Sequence, residues 1–324
     1  MNFRSLAACC ATLATLATAH AQPAWPGARP ITVIVPFSAG GSVDVSARLV
    51  AQRLAERLKQ SVVVENVTGA GGTIGVAKAA AAAPDGYTLV MGADSPMAIA
   101  KLINPVAVRY DTLKDLAPVG LVNTAPMVLV ARPGLPANNL ADVIRLARAQ
   151  PGKLSYATSG IGTVLHLAME LVKDQAKVFI THVPYRGGAQ IVSDVVGNQV
   201  DLAMLVSVTA TPNVLAKKMK AIAVTGDKRL PTLPDVPTVS ETPGFKDYAV
   251  VAWTGLFAPA HTPPAVVERL NRELDEVLRS EEMRAKMQEQ GAVGGSGTPA
   301  DFARFVAREQ ERYARVVKAA NIRE

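Results

Sequence analysis

The stretch from Ile31 to Leu58 constrains the chain more than any other. Ile31-Thr32-Val33-Ile34-Val35 is a short, β-branched apolar run of the kind that forms a buried strand. Pro36-Phe37 ends it. Ser38-Ala39-Gly40-Gly41 follows as a loop of small residues, with Ser42 as a candidate N-cap. Val43, Ala47, Val50, Leu54 and Leu58 then recur at helical spacing, with Arg48, Arg53, Glu56 and Arg57 between them. The reading is strand, tight loop, helix. Such a unit leaves unpaired backbone N–H groups at a helix start, at the carboxyl edge of a sheet, where an anion is favoured. Taken alone, the same residues also read as a plain strand–helix turn whose glycines only permit close packing.

The unit recurs. Val62–Glu65 reads as a second strand, and Gly69-Ala70-Gly71-Gly72-Thr73-Ile74-Gly75 follows it. No register of that run gives G-x-G-x-x-G, and no Walker sequence is present, so a nucleotide fingerprint fails. A helix is expected over 74–82, a strand over 87–91, and a loop at Gly92-Ala93-Asp94-Ser95. Val119–Arg132, apolar and broken at Pro126, reads as a connection into a second lobe. There, helices at 140–150, 164–173 and 189–196 alternate with strands at 154–158, 178–183, 200–205 and 220–224. Small loops close these strands at Ser159–Thr163, Pro184–Gly188 and Ser207–Thr209. Val250–Ala258, carrying Trp253, recrosses between lobes. Pro263-Pro264 opens a helix with Val266, Leu270, Leu274, Val277 and Leu278 on its apolar face. Thr298-Pro299 caps a last helix over 301–320, with Phe302, Phe305 and Tyr313 turned inward. The fold class is therefore α/β with mostly parallel sheets in two lobes, 22–123 plus 249–324 and 124–248. Loops 36–44, 158–163, 184–188 and 206–209 are expected to meet across one crevice, with helix starts from both sides closing on a ligand that carries anionic ends.

At 324 residues, 49% of them hydrophobic and without charge blocks, the chain is long enough for two such lobes. The formal charge of +7 comes from scattered Lys and Arg not interleaved with aromatics, which excludes a nucleic-acid reading and suits an anionic small ligand. Arg4, the apolar Leu6–Thr18 and Ala19-His20-Ala21 fit an export signal cleaved after Ala21. Both cysteines, Cys9 and Cys10, leave with it. Nothing downstream reaches the length of a membrane span. The mature chain is expected in a bacterial periplasm, monomeric, with no cofactor and no metal, since no pair of histidines has ligand spacing. A hydrolase has little support: Ser42, Ser159 and Ser207 lack a G-x-S-x-G elbow.

Several stretches, in order, carry a family resemblance. They are Val35-Pro36-Phe37-Ser38-Ala39-Gly40-Gly41 with Asp44, Glu65-Asn66 with Gly69–Gly72, and Pro84-Asp85-Gly86-Tyr87. His182–Gly188 with Asp201, Leu233–Thr238 and Trp253–Pro259 complete the set. Together they resemble the substrate-binding receptors of tripartite tricarboxylate transporters, the Bug-type or TctC-like proteins, over essentially the whole mature chain. The resemblance implies a Venus-flytrap fold of the second periplasmic-binding type, a carboxylated solute as ligand, and a small-plus-large membrane permease pair as partner. It implies ligand contacts from Phe37, Ser38, Ala39, Gly40, Gly41 and Asp44 in one lobe. In the other it implies Ser159, Gly162, Thr163, Tyr185 and Asp201, with Ser207 nearby; Ser95 and His166 join the candidates from their loop and helix positions. The residues themselves leave some of these roles open. Asp44 also suits a helix start, His166 a structural hydrogen bond, Tyr185 a place as core filler, and Asp201 an orienting role within a strand. Val67-Thr68 stands where the family often has Arg-Pro, Arg186 where Lys is common, and Leu205–Val206 where an aromatic or Asp is frequent. An apolar wall at the last pair would admit an aromatic or long aliphatic acid. A sensory receptor feeding a membrane kinase is the other binding function compatible with these residues.

Overall fold

The computed structural model describes residues 25–319; the expected export segment and its cleavage point lie outside them. The first lobe opens with β1 (Ile31–Val35), α1 (Ser42–Leu58), β2 (Val62–Asn66), α2 (Thr73–Ala80) and β3 (Thr88–Ala93). A π-helical turn (Ser95–Ile99) and two one-turn helices, α3 (Ala100–Ile103) and α4 (Thr112–Asp115), lead into β4 (Leu116–Ala131). The second lobe runs α5 (Leu140–Ala149), β5 (Ser155–Thr158), α6 (Val164–Ala176), β6 (Thr181–Pro184), α7 (Gly188–Val196), β7 (Leu202–Val206), α8 (Ser207–Leu215) and β8 (Lys220–Val224). The chain returns through β9 (Val251–Pro259), α9 (Pro264–Arg279), α10 (Glu281–Glu289), β10 (Val293–Gly294) and α11 (Pro299–Ala319).

β1 has both faces buried, as expected of a strand in a covered parallel sheet. Ile31, Val33 and Val35 pack with Val43, Ala47, Val50, Leu54 and Leu58 of α1, while Ile34 packs on the other face with Val76 of α2. α1 therefore buries the face its spacing predicts. In α9, Val267 rather than Val266 joins Leu270, Leu274, Val277 and Leu278 in the core. α10 has no counterpart in the sequence reading, because Met283 and Met287 alone are buried in an otherwise charged helix. Trp253 is buried in the larger core, edge-on to Phe302 and Phe305 of α11 with ring centroids 6.0 and 5.6 Å away. That core continues into Val164, Leu165 and Ala168 of α6, so apolar packing joins the lobes.

The strands run in the order β2-β1-β3-β9-β4-β7-β5-β6, with β8 and β10 also paired to β4. β1 is parallel to β2 and β3, and β5 is parallel to β6 and β7. The crossings are antiparallel. Where the sequence suggests two separate sheets, β4 is hydrogen-bonded in both halves: Leu116–Pro126 pairs with β9, and Met127–Ala131 pairs with β7 and β8. β4 thus changes strand partners between Pro126 and Met127 without leaving extended conformation. No helix among the described residues is long and apolar enough to cross a membrane.

Thr225 holds the two crossings together. Its Oγ1 accepts from Met127 N at 2.8 Å and donates to Val250 O at 2.6 Å, and the residue is fully buried. Its backbone repeats the bridge, donating to Met127 O and accepting from Val250 N, both at 2.9 Å. Thr225→Val keeps the shape but leaves a buried N–H and a buried C=O without their hydroxyl partner. The expected loss is about 1–3 kcal/mol of stability, read as a lower urea midpoint with an unchanged slope.

Candidate functional site

The carboxyl ends of β1, β3, β5, β6 and β7 face one hollow between the lobes, with a cavity volume of ≈50 Å³ inside a wider mouth open to solvent. Phe37, Gly41–Val43 and Ser46 line it from the first lobe, and Ser159, Gly187–Gly188, Val206 and Thr209 from the second. Asn123, Ala125 and Ala252–Thr254 form its floor from the crossing strands. This is the placement expected of a ligand site in α/β sheets, beyond the carboxyl ends of the strands.

Three helices begin at this hollow without a side-chain cap. The N-caps are Gly41 for α1, Gly187 for α7 and Val206 for α8, and none makes a side-chain capping bond. Each such start carries the equivalent of roughly half a positive charge on its free N–H groups. The Ser42 and Thr209 hydroxyls stand beside them in the lining. No Lys, Arg or His contributes to the lining among the described residues. The positive potential comes from the main chain.

The fourth expected helix start behaves differently. Thr163 caps α6 itself: its Oγ1 accepts from His166 N at 3.4 Å and donates to Gly160 O at 2.8 Å. Val164 N donates across the lobes to Ser95 Oγ at 3.0 Å. Loop 158–163 therefore contributes Ser159 to the hollow, while its helix start is occupied.

The lobes meet through glycine. A Cβ placed on Gly187 would fall 2.0 Å from Ser38 Oγ, and one on Gly41 would lie 3.6 Å from Gly188 N. A Cβ on Gly160 would lie 3.6 Å from Gly71 Cα. Ser38 Oγ is enclosed and has no hydrogen-bond partner. Across the same divide Ser207 Oγ donates to Gly291 O at 2.9 Å.

Of the residues expected from the sequence, the structure puts Phe37, Gly41, Ser95 and Ser159 on the hollow, with Ser38 at its rim against Gly187. Ala39 and Gly40 are exposed. Asp44 is buried but committed: its carboxylate accepts from Gly40 N, Arg48 Nε and Asn66 Nδ2, each at 2.9 Å. It holds the loop that presents Gly41. Burial raises its pKa, but the bonds from Arg48, Gly40 and Asn66 outweigh burial and hold it below the ordinary carboxylate value.

Other expected contacts fall away from the hollow. His166 accepts from Gly162 N through Nδ1 at 3.2 Å and stacks on His182 with centroids 4.2 Å apart, so both His166 and Gly162 support the loop from behind. Burial lowers the pKa of His166, and burial with its neighbour His166 pushes that of His182 down to about 4. Thr163 and Ser207 are fully buried in the bonds already described. Tyr185 lines an outer hollow with Phe37, Gly69–Gly72 and Arg186, and its hydroxyl donates to Asp194 at 2.7 Å. Asp201 precedes β7, at the strand end remote from the hollow, where it accepts from Arg132 Nε at 2.9 Å and Ser155 N at 3.0 Å.

Several lining groups were not singled out from the sequence. Asn123 donates to Ser46 Oγ at 2.9 Å and accepts from Thr254 Oγ1 at 3.1 Å, a network of residues far apart in the chain. Asp94 is 2% exposed. Its Oδ1 accepts from Ser95 N at 2.6 Å and Ser95 Oγ at 2.8 Å, and its Oδ2 from Trp253 N at 3.0 Å. Burial pushes its carboxyl up to about 6 against the pull of these bonds, and the Glu309 carboxylate adds to the rise. The one signal for it in the sequence is its place at the end of β3.

A family model described as "Tripartite tricarboxylate transporter family receptor" matches residues 46–322. The chain belongs to this receptor family. Among its relatives, BugT of Bordetella pertussis is 36% identical over 292 residues, 90% of this chain and 89% of BugT. Two solved structures share the fold of this receptor over most of its length. R. palustris Rpa4515, solved with adipate, is 35% identical with a TM-score of 0.89, covering 92% of this chain and 99% of that one. MatC from Rhodopseudomonas palustris, solved with bound malate, is 34% identical with a TM-score of 0.85, covering 90% and 99%. The two-lobed α/β architecture of the receptor is thus that of periplasmic binding proteins, as BugD also illustrates at 34% identity and a TM-score of 0.85.

Because the folded pKa of Asp44 lies below its unfolded value near 3.9, this group stabilises the fold above that unfolded value. The contribution is lost as pH falls through the folded value. Asp44→Asn is therefore expected to lower stability at pH 7, and the gap to the parent protein to shrink as pH falls below about 4. Urea unfolding at pH 7 and pH 3 measures both.

Proposed function

We propose that the chain is a periplasmic solute receptor that closes its lobes around an organic mono- or dicarboxylate and delivers it to the membrane permease subunits of a tripartite tricarboxylate-type transporter. The observation that carries this reading is the convergence of three uncapped helix starts on a hollow lined by no cationic side chain. A bound carboxylate takes the place of the missing caps, and its desolvation is offset by several short N–H donors from opposed lobes. Adipate in Rpa4515 and malate in MatC support carboxylate as the ligand class. Leu205 and Val206 on the wall favour an acid with an aliphatic or aromatic body.

In this reading the chain works after export and removal of residues 1–21, as a monomer without cofactor. Its lobes are 22–123 with 249–324 and 124–248. Closure forms the surface that the permease meets. A sensor that hands its liganded form to a membrane kinase would use the same hollow and differ in its partner; a neighbouring permease or kinase gene separates the two. A hydrolase is disfavoured, because Ser42 and Ser159 meet no histidine on the hollow.

Malate, succinate, adipate, citrate and benzoate form the test panel. At least one is expected to raise the melting temperature by about 5 °C at saturation and to bind 1:1 by calorimetry. Its amide is expected not to. Failure of all five acids, or equal binding of the amide, overturns the reading.

Gly187→Ala tests closure itself, since its Cβ would meet Ser38 Oγ. The expected result is binding of the best acid weakened more than about tenfold, a penalty of about 1.4 kcal/mol or more on the arrangement in which Gly187 meets Ser38. Adding Ser38→Gly removes the obstructing side chain and should restore binding.

A further inference from the structure

Among the described residues that line the hollow, Asp94 is the one ionisable side chain, and its charge opposes an anion. It makes no ion pair with any described residue, although the chain has cations on many surfaces. The groups that face it are few. Ser95 donates to it twice from the adjoining turn, and the Trp253 backbone N–H donates from β9. From α11 the nearest charged and titratable groups are Glu309, itself paired with Arg312 at 3.3 Å, and the buried Tyr313. None of these supplies a cation to Asp94. From α6 the approach is neutral as well, the Val164 N–H reaching Ser95 Oγ rather than the carboxylate.

Resting on the receptor reading, we propose that Asp94 is a proton-binding site coupled to the anion site, so that the hollow takes up its organic acid together with one proton held on the Asp94 carboxyl. Two carboxylates brought close in a space that lobe closure screens from water are strongly disfavoured from both staying ionised without a cation between them, so one is driven toward its neutral form. Asp94 is the one that yields. Burial has already raised it to about 6, so it is ionised at pH 7 yet open to a further rise, whereas the incoming acid is stabilised as an anion by the helix starts. No covalent chemistry is involved: a proton moves from solvent to one Asp94 oxygen as the lobes close. Ser95 connects the two events, because its Oγ donates to Asp94 and accepts the interlobe bond from Val164 N. By linkage, the acid and the proton each strengthen the other's binding by the same factor.

The experiment is calorimetry at pH 7.0 with the tightest of malate, succinate, adipate, citrate and benzoate, in two buffers of very different ionisation heat. Malate, succinate, adipate and benzoate are essentially ionised there, so their own titration contributes little; for citrate the titration of the free acid is subtracted. The expected result is uptake of close to one proton per acid bound, with affinity falling about tenfold from pH 7 to pH 8. Asp94→Asn is expected to abolish both the uptake and the pH dependence. If that variant does not fold, the titration of 13C-labelled aspartate carboxyls in the unaltered protein decides, with one titration expected to move upward by more than about two units on adding the acid. Binding without proton uptake, or uptake that persists in Asp94→Asn, overturns the coupling and leaves the receptor reading standing. Absence of binding by all five acids removes the receptor reading, and this inference with it.

Discussion

An amide N–H in the first turn of a helix has no carbonyl four residues behind it, and where it is shielded from water it needs an acceptor. Some helices meet the demand with their own side chains. α6 does so through Thr163, and α5 through Asn139, whose side chain accepts from Asp142 N at 2.9 Å. α1, α7 and α8 do not, because Gly41, Gly187 and Val206 offer no oxygen at the capping position. All three open onto the same enclosed space. In the proposed receptor, the unmet demand of these main-chain donors is what would make the hollow selective for negative oxygen, and the two lobes are what bring the donors together.

That bringing-together depends on how the halves are joined. β4 keeps its strand hydrogen bonds on both sides of Pro126, so the joint is a point within an extended segment. Thr225 fastens β4 to the returning chain at Val250 just beyond that point. The faces that meet across the hollow are nearly bare main chain at Gly41, Gly71, Gly160, Gly187 and Gly188. The same closeness that lets peptide groups converge leaves no room there for a side chain.

Much of this was legible from local pattern. The β1–loop–α1 unit declares itself because an apolar run, four small residues and a 3.6-residue spacing are all short-range signals. The crossings at Val119–Arg132 and Val250–Ala258 were readable as apolar stretches set between the alternating units. Which helix starts stay free was only partly legible. The capping positions of α6 and α7 differ in type, Thr163 against Gly187, but only the fold shows that the Thr163 hydroxyl is spent on its own helix and loop. Asp44 illustrates the same limit, since an acid in a first turn can face a ligand or tie down its own loop. Asp201 was readable in principle: parallel strands point their carboxyl ends at the site, and a residue ahead of β7 lies at the far end. Asp94, Asn123 and Thr254 become neighbours through pairing of β3, β4 and β9, which no local pattern encodes.

Contact through peptide nitrogens has an evolutionary corollary. Substitution exchanges side chains and, proline aside, leaves every amide in place, so the clamp at the three helix starts is insulated from genetic drift in a way that an arginine clamp is not. The surrounding wall, at Leu205, Val206, Ala125 and Ala252, has no such protection. If the proposed site holds, a lineage of these proteins is free to diversify in the size and shape of its cargo while inheriting one unchanging grip on the acid group.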